Sequence, residues 1–274
     1  MTPAARERLS ITVPLLLITG AAWTILVVGP GTMAMPDGSS AATLATNLST
    51  SRGMAVPDLC SAPTLSATSF SNSRHLRLAF SLLASFAASW MLMLTAMMMP
   101  VLIAPVRHIR DRSFTKRRAR AIVLFLTGYA AIWIAAGVVL LTLAAAAPLI
   151  VSRLSVALAI ATFVALVWQF SPAKQLCLNR CHARPELSAF GLAADLDAFR
   201  FGFMHGSSCV GSCWALMLLP LLVSRGHVAA MAVVAIWIFA ERLDGPMPPR
   251  WRWRGLGKVV RIAVAQTRLR LQNS

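Results

Sequence analysis

Apolar runs alternate with polar and basic segments along the chain, falling near residues 11–29, 79–104, 121–146, 150–170, 201–223 and 228–242. The first five have the length, about 20 residues, that a helix needs to cross ~30 Å of hydrocarbon; the sixth is shorter. An open strand in lipid would leave backbone N–H and C=O groups unpaired, so each run is predicted to be helical. The pattern predicts an all-α fold: a polytopic transmembrane bundle of about six membrane helices, with residues 1–274 as one integral membrane domain. Residues 30–76 are rich in Ser, Thr, Ala and Pro and are expected to form a mobile external loop. The first run follows Arg6 and Arg8, as the core of a signal peptide would. Its length exceeds the ~7–15 residues of such a core, so an uncleaved anchor is expected.

Composition sharpens this picture. The chain is 57% hydrophobic and only 13% charged, which sets it apart from ordinary soluble domains. Its formal net charge of +17 invites a comparison with nucleic-acid binders, but the distribution of that charge points elsewhere. With a cytoplasmic N-terminus, 21 of the 26 Lys and Arg fall on the inner side; only Arg52, Arg74, Arg77, Arg153 and Arg225 lie outside. This positive-inside bias places both termini in the cytoplasm. The partner implied is the lipid bilayer and not nucleic acid. Residues 246–274 continue the theme: prolines, then a basic amphipathic tail with Trp251 and Trp253, suited to the membrane interface.

Candidate chemistry is concentrated in the fifth run, "FMHGSSCVGSCWALM". His205, Cys209, Cys213 and Met217 recur every four residues, so they form one stripe of a helix. Gly202 and Gly206 form a small-xxx-small face, which lets another helix approach closely. The preceding segment offers Cys177, Cys181 and His182 in a C-x-x-x-C-H cluster, placed by the pattern in a cytoplasmic loop where thiols stay reduced. The second run has five methionines in nine positions, Met91 to Met99, before Pro100. Packing and ligation both remain open for them. Counted from the inner ends of their helices, Met97, Met98, His205 and Cys209 fall in one layer, with Cys177 and Cys181 just below. Thiolate and thioether donors select soft ions, Cu(I) first and zinc second. Glu241 is the one acidic residue placed within the membrane, and a pairing with Arg242 or another cation is expected for it.

The motifs "WMLMLTAMMMP", "GYAAIW", "QFSPAKQLCLNRC", "HGSSCVGSCWALM" and "AERLDG" together resemble a bacterial family described as predicted metal-binding integral membrane proteins. Some of its members are labelled polyphenol-oxidase-like. The resemblance covers roughly residues 85–245 and implies a polytopic protein with a metal site, matched here by Cys177, Cys181, His205, Cys209 and Cys213. Family members often carry two adjacent cysteines before the Trp; here Ser212 stands at the first of those positions. The leading expectation is a membrane protein that delivers or transports Cu(I), working with a protein that donates or accepts the metal. A thiol or copper oxidoreductase and a subunit or assembly factor of a membrane complex are the alternatives. Five scattered histidines are too few for a two-copper oxidase, and no phosphate-binding loop for ATP occurs.

The charge split generates a direct test. Reporter fusions after Ala41 and Ser224 are expected to report outside, and those after Ser113 and Asn273 inside. A cytoplasmic reading at Ala41 overturns the arrangement.

Overall fold

A computed structural model describes residues 3–28, 87–151, 153–223 and 226–253, with residues 264, 265 and 267. The described residues are helical, without a strand. We label the helices α1 (Pro3–Val28), α2 (Ala87–Arg112), α3 (Arg118–Ile150), α4 (Leu154–Phe170), α5 (Pro172–Cys181), α6 (Gly191–Leu222) and α7 (His227–Arg242). Residues 30–76, expected to form the external loop, lie outside the described residues.

Four of these helices, α1, α2, α3 and α6, are long and apolar enough to cross a membrane. A fifth span is reached if α4 and α5, bent by 67° at Ser171, count as one. The expected sixth span is α7, which has 16 residues and falls short of the usual crossing length. Two further boundaries differ from the apolar pattern. Within α2 the chain tightens into a 3₁₀ turn at Met99–Leu102, where Pro100 lacks a backbone donor, and then continues to Arg112. Residues 172–181, expected as a loop, form a helix. Ser171 caps it by accepting a hydrogen bond from Ala173 N (3.1 Å), and Pro172 occupies the first turn.

The most extensive helix pairing is between α3 and α6, and glycines make it possible. A Cβ built on Gly202 would collide with the backbone carbonyl of Phe125, and one on Gly128 would lie 2.5 Å from Phe199 O. The contacts advance together along both chains, Phe125 with Gly202 and Tyr129 with Gly206, so the two helices run parallel. The helix that the small-residue face on α6 receives is therefore α3. Helix α2 lies antiparallel along α3, with Trp90 Nε1 donating to Trp133 O (3.0 Å). Helix α1 is joined to α2 by Trp23 Nε1 donating to Ala96 O (2.9 Å). Outward faces remain apolar, exposing Leu17, Val123, Phe163, Val233 and Ile236.

Gly202→Ala is expected to destabilise the protein by ~3 kcal/mol or more, because the added methyl meets backbone that cannot rotate away. Gly20→Ala, with nothing within 4 Å of the new Cβ, should be neutral or stabilise by up to ~1 kcal/mol. Thermal unfolding in detergent compares the two; equal midpoints would refute the tight contact.

Candidate metal centre

Parallel packing of α3 and α6 stacks aromatic rings of α3 beside the candidate donors of α6. His205 is buried, with ring centroids of Phe201, Phe125 and Tyr129 at 5.9, 6.0 and 6.1 Å. Neither of its ring nitrogens has a hydrogen-bond partner. One turn on, Cys209 is fully buried, and the Tyr129 hydroxyl lies 3.3 Å from its sulfur. Cys213 follows, its thiol donating to Cys209 O (3.0 Å), and Met217 closes the stripe inside the same core. All four cysteines at 177, 181, 209 and 213 are free thiols.

The bend at Ser171 folds α5 back against α6 and moves Cys177 and Cys181 away from the position expected for them. They lie beside the Cys209–Cys213 turn and not below it. The side chain of Cys177 occupies the space left by Gly211, where a Cβ would come within 2.6 Å of its sulfur. Cys181 lies near Arg242 and Cys209. His182 caps the end of α5, with Nδ1 2.9 Å from Leu178 O and Nε2 3.2 Å from Arg242 O, so its ring ties α5 to α7 and faces carbonyls, not sulfur. Met97 and Met98 are buried in the core that holds Cys209 and Cys213. His108 of α2 meets Phe201 at 5.7 Å, and the ten-residue rise back to Met98 (~15 Å) is close to the eight-residue rise from Phe201 to Cys209 (~12 Å).

Two participants were not among the sequence candidates. Arg242, at the end of α7, places Nη2 3.1 Å from Cys209 Sγ and 3.3 Å from Ser212 Oγ. Tyr129 is the other. Both stood inside motifs already noted, "AERLDG" and "GYAAIW", but nothing in the linear pattern tied either one to a thiol. Glu241 pairs with a cation, as expected, and that cation is Lys174 (2.7 Å). Gln169 Nε2 (2.5 Å) and Trp237 Nε1 (3.0 Å) donate to the same carboxylate, and Lys174 also donates to Gln169.

The proposed tail begins differently from an interfacial helix. Gln175 and Asn179, one turn apart on α5, bind the backbone of residues 247–252: Gln175 Nε2 donates to Arg250 O (2.6 Å), and Asn179 Nδ2 to Met247 O (2.6 Å). Trp253 packs on Phe170 and Trp237. Most of the remainder lies outside the described residues.

A family model described as PpoB2, copper chaperone, matches residues 87–265. The chain belongs to this copper chaperone family. No curated protein and no solved structure matches it. The match begins at α2 and spans every candidate donor. The donor chemistry fits: two thiols one turn apart suit Cu(I), which accepts low coordination, and the imidazole beside them has both nitrogens unmet. Among the described residues, no three His, Cys, Asp or Glu side chains converge to hold an ion. The closed four-ligand geometry usual for structural zinc is therefore not assembled from them.

The Lys174–Glu241 pair makes a separable prediction. Lys174→Met should cost about 3–5 kcal/mol, because it strands a buried carboxylate. Adding Glu241→Gln should recover most of that loss. Thermal unfolding of the two single variants and the double variant measures the coupling, and strictly additive losses would contradict it.

Proposed function

We propose that this PpoB2-family chain is a multi-pass membrane protein that receives Cu(I) on Cys209 and Cys213 and passes it on within or across the bilayer. The observation that carries the reading is His205, a buried imidazole without a partner, one helical turn from a buried thiol. A polar group in an apolar interior is normally satisfied, and leaving it unmet costs about 1–3 kcal/mol. A metal ion that takes up a ring lone pair removes part of that cost. The two thiols supply soft donors, and His205 or Met98 completes the shell. Tyr129 positions Cys209 by its hydroxyl contact.

Membrane residence is supported by the lengths of α1, α2, α3 and α6 and by the apolar residues on their outer faces. It is supported too by the inward bias of Lys and Arg. The bacterial inner membrane fits that bias. Cys177 and Cys181, half-buried on α5, are suited to capture the ion before the deeper thiols receive it. Because a chaperone hands its cargo on, the partner is a protein that donates or accepts copper.

The test is Cu(I) binding to the purified chain, measured by competition with a chromogenic chelator. Cys209→Ser and Cys213→Ser should abolish stoichiometric binding, since each exchanges a soft ligand for a hard one. His205→Ala should weaken it by about tenfold or more. Met93→Leu, elsewhere in the core, should leave it unchanged. Full stoichiometry and affinity in the Cys209→Ser/Cys213→Ser double variant would overturn the site.

A further inference from the structure

Arg242 is a half-buried arginine whose guanidinium faces sulfur. Its Nη2 donates to Cys209 Sγ and to Ser212 Oγ. Its Nε is buried without a partner. The neighbouring carboxylate is engaged elsewhere: Glu241 is held by Lys174, Gln169 and Trp237. Among the described residues Arg242 thus meets a thiol and a hydroxyl, and is ion-paired with no carboxylate.

We infer that Arg242 sets the charge of the cargo, making the Cys209–Cys213 site selective for monovalent soft cations over divalent ones. The inference rests on the proposed thiol site. When an ion binds, the two sulfurs release their protons to solvent and coordinate as thiolates. One monovalent ion, two thiolates and one guanidinium then sum to zero charge. A divalent ion in the same place leaves one positive charge uncompensated, and an uncompensated charge is costly away from water. Remove the guanidinium and the balance reverses: the divalent complex becomes neutral and the monovalent one carries a negative charge. A third thiolate would also balance a divalent ion, and Cys181 is the sulfur placed to supply it. Arg242 therefore acts on specificity through the ligands and not as a ligand.

The test compares Ag(I), an air-stable stand-in for Cu(I), with Zn(II) on the full-length chain in nanodiscs, by calorimetric competition. The proteins are the wild type, Arg242→Lys, Arg242→Gln, Arg242→Leu and Cys209→Ser, each also in a Cys181→Ser background. The Gln and Leu variants should shift the Ag(I)-to-Zn(II) affinity ratio toward zinc by about tenfold or more, and Lys should hold it near the wild-type value. Leu is included because a buried amide without partners can destabilise the bundle on its own account. An unchanged ratio in the Gln and Leu variants, or zinc binding that stays undetectable in both, overturns charge selection while the thiol site stands. Wild-type Ag(I) affinity in Cys209→Ser overturns the thiol site itself, and with it the basis of the inference.

Discussion

Close backbone contact between α3 and α6 is the constraint on which the interior depends. At Gly202 and Gly128 there is no room for even a methyl group, so the two helices are held in one register. That register brings Tyr129 to Cys209 and surrounds His205 with Phe125, Tyr129 and Phe201. A shift of one residue along either helix would turn the donors about 100° away from these rings. Parallel helices cannot be joined by a short turn, and the chain between α3 and α6 contains α4 and α5. The bend at Ser171 then returns α5 to the side of α6.

Around the candidate site the described charged side chains form two hydrogen-bonded sets. Lys174 and Glu241 compensate each other, and Gln169 and Trp237 satisfy what remains of the carboxylate. Arg242 is left to the thiols. Adjacent residues on one helix thus serve different ends: Glu241 locks α7 to the α4–α5 bend, while Arg242 meets the candidate copper site. Separation of this kind matters in a medium of low dielectric, where a charge without a partner costs several kcal/mol.

His182 and the 247–252 segment illustrate a further division of labour. Both look like functional chemistry in the sequence, a histidine beside two cysteines and a basic tryptophan-rich tail. In the fold each is used for attachment. His182 ties the end of α5 to α7 through carbonyl contacts, and the tail backbone is gripped by Gln175 and Asn179. The cysteine-bearing helix is thereby clamped on two sides, which sets Cys177 and Cys181 against α6.

The sequence by itself determined the all-helical class, the positions of the long apolar helices and the alignment of His205, Cys209, Cys213 and Met217. These follow from local rules: apolar length, the pairing needs of backbone groups, and a helical repeat of 3.6 residues. It also marked Gly202 and Gly206 as a contact face, but not which helix fills it. Tertiary structure decided that α3 packs there, that residues 172–181 fold back as a helix, and that Arg242 and Tyr129 join the thiols. Those outcomes depend on side chains 33 and 80 positions from Cys209. A hydropathy pattern records which residues avoid water; it does not record which of them meet.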